Sequence, residues 1–240
     1  MVCGVVGTDS ARFCSSCGAA MARDEEEAGR VRKVVTVVFS DLAGSTGLGE
    51  RLDPESLTLV MGLYFERTRA ALERHGGTVH KFIGDAVMAV FGIPVVREDD
   101  ALRAVRAAAE LRTALAELNA ELVRDHGVSL ELRTGVNTGE VLAGDPAAAQ
   151  ALALGDTVNV AARLEQVASS GEVLLGHATW ALVRDAVEAT ALDALTLKGK
   201  SAPVGAWRLE RVNPVALVPP RHCGGAGWCR QVPPGRRGAR

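Results

Sequence analysis

The amino-acid sequence predicts an α+β domain in which helices pack against one mostly antiparallel sheet. Strand and helix signals alternate along residues 31–211. Two segments, 78–92 and 130–145, each contain two short apolar stretches separated by turn residues, as antiparallel neighbours do. Two long helix signals, at residues 53–77 and 98–127, supply helices that can cover such a sheet.

The first predicted strand is VVTVVF, residues 34–39, which ends near Asp41. Its apolar residues follow one another without alternating polar positions, so we expect the strand to be buried on both faces. The helix of residues 53–77 comes next. Asp53 is a favourable N-cap for it, and Pro54 suits the first helical position.

The hairpin of residues 78–92 is predicted to turn at Gly84 and Asp85, which are favoured turn residues. The helix of residues 98–127 carries leucines at spacings of four, three and four residues, which form one apolar stripe. These leucines are Leu111, Leu115, Leu118 and Leu122. Residues 130–145 are then predicted to form a second pair of strands.

The last part of the domain continues the alternation of helices and strands. Residues 155–168 are predicted to form a helix that is capped by Asp156. The remaining predicted elements are a strand at 172–176, a short helix near 177–184, and two strands at 192–198 and 204–210. This order completes one sheet with helices packed on it.

Composition limits the classes of protein to which this chain can belong. Hydrophobic residues make up 48% of the 240 residues and charged residues 23%, as in ordinary globular domains. The formal net charge of −2 gives no general attraction to nucleic acid. No apolar run approaches the roughly 20 residues that span a bilayer, and no signal peptide is recognisable. We therefore expect a cytoplasmic protein that binds neither nucleic acid nor membrane.

The two ends of the chain differ in composition from the predicted domain at residues 31–211. Residues 1–30 contain three cysteines and close with the acidic run DEEE. Residues 212–240 hold five of the nine prolines, together with many Gly and Arg residues. We expect this C-terminal segment to be a disordered or aberrant tail.

Two aspartates in the predicted sheet are candidate metal ligands. Asp41 follows the first strand and Asp85 lies in the hairpin turn, so the carboxylates converge if those strands are neighbours. Mg²⁺ prefers oxygen ligands and commonly combines one or two carboxylates with substrate phosphates. The backbone N–H groups of residues 42–46 could hold such phosphates. The alternative for each aspartate alone is ordinary turn chemistry.

Four segments of the chain occur in an order that is typical of one enzyme family. They are FSDLAGST (39–46), HKFIGDAVMAVFG (80–92), LRTGVNTGEVLAGD (132–145) and GDTVNVAARLE (155–165). Together they resemble the catalytic domain of class III nucleotidyl cyclases, in the bacterial adenylate cyclase style, over about residues 33–210. The resemblance implies a ferredoxin-like α+β core, which agrees with the order of elements above.

The resemblance also implies which residues bind metal and phosphate. Asp41 and Asp85, with the carbonyl of Leu42, would bind two Mg²⁺ or Mn²⁺ ions. These ions would activate the ribose 3′-hydroxyl and stabilise the leaving pyrophosphate. Ser45 and Thr46, in the loop after the first strand, would contact the substrate phosphates.

Further substrate contacts are implied for side chains elsewhere in the domain. Lys81 would read the purine, because an ammonium donates to the N1 acceptor of adenine. Asn159 would orient the ribose, and Arg163, four residues later on the same helix face, would stabilise charge on the α-phosphate. Lys198 would bind the terminal phosphates, with Lys200 as a second candidate.

Sites of this family form at the interface of a homodimer. The resemblance therefore implies that the metal-binding aspartates come from one chain and the other substrate-binding residues from its partner. A monomer would then be inactive, and two-fold symmetry would give two equivalent sites. The alternative for each lysine, and for Asn159 and Arg163, is a solvated surface side chain.

One position departs from the pattern of the family. The family places Asp or Thr three residues before the Gly of GDTVN, where it reads adenine together with the lysine, but this chain has Leu152. Leucine forms no hydrogen bond, and a polar contact left unmade costs about 1–3 kcal/mol. Gln150 is the only polar residue between Asp145 and Gly155. ATP is the expected substrate, with GTP as the alternative.

The N-terminal segment resembles a small zinc ribbon, which is built from two Cys-x-x-Cys pairs. Cys14 and Cys17 form one pair, but Val6 stands where the partner of Cys3 would be. A structural zinc site takes four ligands, so three thiolates would need a water or another ligand. The alternative, which the missing cysteine favours, is a segment that has lost its metal.

We expect the chain to be an adenylate cyclase that converts ATP into 3′,5′-cyclic AMP and pyrophosphate. The alternative is a catalytically weak or inactive module that binds nucleotide and regulates a partner, which Leu152 favours. Retention of both aspartates, Asn159 and Arg163 favours the enzyme, because a binding module does not need transition-state residues. Polymerases and diguanylate cyclases share the carboxylate geometry, but the sequence lacks a GGDEF-like hairpin.

Overall fold

A computed structural model of the chain describes residues 31–143, 156–195 and 203–214. Within them, seven strands form one sheet in the order β2-β3-β1-β4-β5-β7-β6. The strands are β1 (Val31–Leu42), β2 (Thr78–Ile83), β3 (Ala86–Phe91), β4 (Leu132–Ala143), β5 (Val173–Gly176), β6 (Val187–Ala191) and β7 (Ala206–Val212). Neighbouring strands are antiparallel except β4 and β5, which run parallel. The predicted α+β fold with a mostly antiparallel sheet is confirmed.

Five α-helices accompany the sheet in these residues. They are α1 (Leu48–Arg51), α2 (Pro54–Arg74), α3 (Asp100–His126), α4 (Asp156–Val167) and α5 (His177–Val183). Asp53 caps α2 as predicted, since its Oδ1 accepts a 2.8 Å hydrogen bond from the Ser56 N–H. None of these helices is both long enough and apolar enough to cross a membrane.

The helices divide between the two faces of the sheet. On one face, α2, α3 and α5 enclose the larger core, which includes Val38 of β1 and Val136 of β4. On the other face, α4 contributes Ala161 to a smaller core with Val35 and Val37. β1 is therefore buried on both faces, in agreement with its continuous run of apolar residues.

Glycines in β4 allow α4 to lie directly on this strand. A Cβ atom at Gly135 would overlap the carbonyl oxygen of Ala161 and lie 3.0 Å from the Cβ of Leu164. At the first turn of α4, Thr157 donates from Oγ1 to the main-chain oxygen of Glu140 at 2.8 Å. These contacts fix the position of α4 and therefore the direction of its outward side chains.

The predicted pair of strands at residues 130–145 is wrong. A single strand, β4, runs from Leu132 to Ala143. Gly135 and Gly139 look like turn residues in the sequence, but a Cβ at either position would collide with α4. Glycine inside a strand often marks such a close approach of another backbone.

Two smaller predictions also need correction. The strand predicted at 192–198 lies earlier, as β6, and within the described residues only the bridge between Leu195 and Val204 falls in the predicted range. β6 is an edge strand with mostly exposed side chains, so its apolar signal is weak. Asp156 is the first residue of α4 rather than the cap before it.

Candidate active site

Asp41 lies within β1, one residue before the strand ends. In the register of β1 with β4 it is paired with Arg133. Arg133 Nη2 donates a 3.1 Å hydrogen bond to Asp41 Oδ2. The other oxygen, Oδ1, is buried and has no hydrogen-bond partner among the described residues. One oxygen of this carboxylate is therefore fixed, and the other is available to a cation.

Asp85 occupies the turn between β2 and β3. Gly84 before it has a φ of 65°, a left-handed conformation that favours glycine. The Tyr64 hydroxyl, from α2, donates to the main-chain oxygen of Asp85 at 3.2 Å. Because Tyr64 is only 1% exposed, this hydrogen bond ties the turn to the core of the domain.

The structure brings these two aspartates together. Burial raises the pKa of the Asp41 carboxyl and the charge of Asp85 raises it further, while Arg133 opposes both effects. Burial also raises the pKa of Tyr64, and the charges of the same two aspartates add to that rise. Since β1 and β3 are antiparallel neighbours, the C-terminal end of β1 and the N-terminal end of β3 lie side by side at the same end of the strands.

A third carboxylate near this site, Glu165 on α4, was missed in the sequence. It is 2% exposed, and its Oε1 lies 3.2 Å from Arg133 Nη2. Burial raises the pKa of Glu165 to about 7, with Arg133 lowering it and the charges of Asp41 and Asp85 raising it. No local pattern singled out Arg133, because β4 contains several other polar residues, and only the strand register shows that it is paired with Asp41.

The loop after β1 differs in detail from the expected entry into a helix. It forms a short 3₁₀ turn at Ser45–Gly47, followed by the four residues of α1. The Ala43 N–H donates to the main-chain oxygen of Glu131 at 2.8 Å, so it is already engaged. A phosphate at this loop would therefore use the N–H groups of residues 44–46.

Asn159 and Arg163 lie on the side of α4 that faces away from the sheet. Asn159 is exposed, whereas Leu164 on the opposite side is fully buried. Arg163 is partly buried, and its Nη1 has no hydrogen-bond partner in the part of the chain that is described. Within that part, neither side chain forms a hydrogen bond or ion pair with either aspartate. A single chain thus joins the two aspartates but does not bring Asn159 and Arg163 to them.

A comparison with protein families identifies the same kind of domain as the four sequence segments and the paired aspartates. The family described as the adenylate and guanylate cyclase catalytic domain matches residues 27–210, which is more than half of the chain. The chain belongs to this family. The resemblance to class III nucleotidyl cyclases is thereby confirmed.

Individual cyclases of both substrate types are similar to this domain. Adenylate cyclase 1 of Rhizobium meliloti is 30% identical over 186 residues, which cover 75% of this chain and 28% of that protein. The crystal structure of the adenylyl cyclase CyaB from P. aeruginosa is 33% identical, with a TM-score of 0.71 over 77% of this chain and 97% of that one. The guanylyl cyclase Cya2 is 31% identical, with a TM-score of 0.72 over 79% and 98%. The chain spans 28% to 36% of the length of the first curated relatives.

Several predicted site residues of this cyclase domain are described in part or not at all. Those outside the described residues are Leu152, Lys198, Lys200, Cys3, Cys14 and Cys17. Lys81 lies in β2 and Thr46 in the 3₁₀ turn, but only their backbones are described. Ser45 is partly buried and Leu42 is buried. No three His, Cys, Asp or Glu side chains of the described segments form a metal site by themselves.

Proposed function

We propose that this cyclase domain converts ATP into 3′,5′-cyclic AMP and pyrophosphate, using two divalent metal ions at an interface between two copies of the chain. The observation that carries the proposal is the pair of Asp41 and Asp85, in which Asp41 Oδ1 is buried and has no hydrogen-bond partner in the described part of the chain. Such an oxygen is costly to bury unless a donor or cation binds it. Similarity to adenylate cyclase 1 and to CyaB supports ATP as the substrate.

The residues present suit Mg²⁺ or Mn²⁺. Asp41, Asp85 and the carbonyl of Leu42 would hold the ions, and oxygen ligands of this kind are the ones that Mg²⁺ prefers. Since the described side chains alone form no complete metal site, the phosphates of the substrate would supply further ligands. When bound, two such ions activate the attacking hydroxyl and stabilise the leaving oxygen of a phosphoryl transfer.

Side chains of the domain would bind and orient the nucleotide. The N–H groups of residues 44–46, with the hydroxyls of Ser45 and Thr46, would hold phosphate oxygens. Lys81 would donate from Nζ to adenine N1. Lys198 would neutralise the terminal phosphates, and Lys200 is the second candidate for that role.

Two side chains on α4 would act where the bond forms. Asn159 would hold the ribose so that its 3′-hydroxyl is in line with the α-phosphate. Arg163 offers a guanidinium whose Nη1 is buried and unpartnered among the described residues. A preorganised donor of this kind stabilises the charge that builds up on the α-phosphate in the transition state.

This proposal requires two copies of the chain. Asn159 is exposed, and neither it nor Arg163 bonds to an aspartate of its own chain within the described residues. We infer that a second copy brings them to Asp41 and Asp85. A two-fold axis between the copies would then create two equivalent sites. Each site would combine the aspartates of one chain with the α4 residues of the other.

Turnover of ATP and GTP tests this function. The purified protein should form cyclic AMP from ATP in the presence of Mg²⁺ or Mn²⁺, and chelation of the metal should stop the reaction. If neither nucleotide gives a cyclic product with either metal, the domain is a nucleotide-binding module instead. Binding of ATP without turnover would support that second function.

Leu152 offers a separate test of substrate choice. Leu152→Thr introduces the hydroxyl that the family pattern places there, so the ratio of kcat/KM for ATP over GTP should rise. One such contact is worth about 1–3 kcal/mol, so we expect the ratio to change by roughly fivefold to 100-fold. If the wild-type protein prefers GTP, the domain is a guanylyl cyclase, as the similar Cya2 is named.

A further inference from the structure

Arg133 is shared between two acids, the half-buried Asp41 and the buried Glu165. Its Nη2 lies 3.1 Å from Asp41 Oδ2 and 3.2 Å from Glu165 Oε1. Only the contact with Asp41 has the geometry of a hydrogen bond, because Glu165 Oε1 has no hydrogen-bond partner within the described residues. Asp41 Oδ1 and Arg133 Nε are also buried and unpartnered there. One guanidinium nitrogen therefore serves two carboxylates, and three polar atoms around it are unsatisfied.

Such an arrangement is unusual in a protein interior. The large majority of buried polar side-chain atoms have at least one hydrogen-bond partner, and an unpaired buried charge is strongly unfavourable. Three acids, Asp41, Asp85 and Glu165, lie near one another, and Arg133 is the only cation that the described residues pair with any of them. The group has an excess of negative charge that a divalent cation would neutralise.

The position of Glu165 follows from the packing of α4 on β4. A Cβ atom at Gly135 would crowd the backbone N–H of Glu165 and the carbonyl of Ala161, so only glycine lets the helix come this close. Gly135 is two residues along β4 from Arg133 and lies on the same face of the strand. The close approach of α4 is thus what brings the Glu165 carboxylate to the guanidinium.

We propose that Arg133 and Glu165 are positioning residues for the metal ligand Asp41. Without a divalent cation, Arg133 neutralises Asp41 and holds its Oδ2. When a cation binds Asp41, Arg133 turns to Glu165 and completes a hydrogen bond there, so that Asp41 is released to the metal. The inference rests on the proposed two-metal function and assigns roles to two residues that are not themselves metal ligands.

Binding of Mn²⁺ alone, without nucleotide, tests this exchange of partners. Free Mn²⁺ can be counted by electron paramagnetic resonance in titrations of the full chain, and Asp41→Asn must abolish the binding that is measured. Glu165→Gln should weaken Mn²⁺ binding at least threefold, because Arg133 then has no charged alternative to Asp41. Glu131→Gln removes the same charge from an exposed side chain two residues from Arg133 and should leave binding unchanged.

A double variant separates an exchange of partners from a general effect of charge. In an Arg133→Gln background, Glu165→Gln should cause no further loss of Mn²⁺ affinity, because the group that moves is gone. A loss of the same size with and without Arg133 would overturn the proposal, and so would a Glu165→Gln protein that binds Mn²⁺ like the wild type. Thermal melting of each variant shows whether it is folded.

Structures of the wild-type protein with and without Mn²⁺ decide the question even if the Arg133 variant does not fold. With Mn²⁺ bound, Arg133 should leave hydrogen-bonding distance of Asp41 Oδ2 and donate to Glu165. An Arg133 that stays on Asp41, or that leaves both acids, would overturn the inference. Neither measurement uses turnover, so an inactive protein in which Mn²⁺ moves Arg133 would refute the proposed function and retain this inference.

Discussion

The two carboxylate oxygens of Asp41 have different surroundings, since one accepts from Arg133 and the other is buried without a described partner. Asp41→Asn keeps the shape of the side chain but removes the charge that attracts a divalent ion. We expect kcat/KM to fall at least about 100-fold, because altering even residues behind a metal ligand costs about 10–100-fold. Initial rates over a Mn²⁺ titration measure the loss.

Asp125→Asn is the matched control for that substitution, because Asp125 is an exposed acid near the end of α3. Its turnover should equal that of the wild type. An Asp41→Asn protein with nearly normal turnover would exclude Asp41 as a metal ligand.

Tyr64 contacts the backbone of Asp85, the second proposed metal ligand. Tyr64→Phe removes the 3.2 Å hydrogen bond to the main-chain oxygen of Asp85. We expect the free energy of unfolding to fall by about 1 kcal/mol. The Mn²⁺ concentration for half-maximal activity should rise, because the turn that carries Asp85 is less constrained. A lower melting temperature with unchanged Mn²⁺ dependence would show that Tyr64 supports the fold alone.

Glu165 makes stability depend on pH. Its pKa in the folded protein is about 7, compared with an ordinary value of 4.5. Between these values the folded protein binds a proton that the unfolded chain has released, so the free energy of unfolding falls as pH rises. The contribution of this proton is complete below about pH 4.5 and is lost above about pH 7. The free energy of unfolding of the metal-free protein can be measured by urea denaturation at several pH values in this range. It should change less with pH in Glu165→Gln than in the wild type. An equal pH dependence in both proteins would assign the effect to another group.

At the scale of the element, the contact between α4 and β4 controls where Asn159 and Arg163 point. Gly135→Ala would push α4 away, because the added Cβ overlaps the carbonyl of Ala161. Overpacking of this kind typically costs about 1–3 kcal/mol. We expect a lower melting temperature together with a loss of cyclase activity that exceeds the fraction of protein unfolded at the assay temperature.

Gly62→Ala is the matched control for that prediction. Gly62 is exposed on α2, and a Cβ there would meet nothing within 4 Å. Replacing a helix glycine by alanine should stabilise the protein by about 0.5–1 kcal/mol. If Gly135→Ala melts at or above the temperature of the wild type, as Gly62→Ala should, the close contact at Gly135 is not a constraint on the fold.

Elements with a strong local signal were predictable from the sequence. The apolar run of β1, the turn at Gly84 and the leucine stripe of α3 each depend on neighbouring residues only. The sequence predicted two strands in place of β4, because Gly135 and Gly139 look like turn residues. They are glycines because α4 packs closely on the strand, and the sequence does not show that contact. β6 was misplaced because an exposed edge strand needs few apolar residues.

The candidate site shows the same division between local and distant signals. The convergence of Asp41 and Asp85 followed from expecting their strands to be neighbours, and β1 and β3 do pair. Arg133 and Glu165 were missed because they are distant in sequence from Asp41 and from each other. Their meeting depends on the β1–β4 register and on the approach of α4, and neither leaves a local pattern.

At the scale of the whole molecule, the proposal that each site needs two chains can be tested by mixing variants. Asp41→Asn and Arg163→Ala proteins should each be inactive as homodimers. In a mixed dimer, one site would carry both defects and the other neither. If subunits exchange at random, an equal mixture should recover about a quarter of wild-type turnover, since half of the dimers are mixed.

Size-exclusion chromatography of the mixture confirms that dimers have formed. A mixture of Asp41→Asn and Asp85→Asn proteins is the control, because both defects then fall on the same half of each site. It should stay inactive. Recovery in the control as well, or no recovery in either mixture, would contradict a site composed from two chains.

The anchors of α4 have a consequence for how substrate preference can change over evolution. Three of the contacts that fix this helix in the described residues, at Gly135, at Gly139 and between Thr157 and Glu140, join it directly to β4. Under the proposed function, a substitution at Leu152 changes the nucleotide preference and leaves these three contacts with β4 as they are. A change of signalling molecule therefore need not pass through an inactive ancestor.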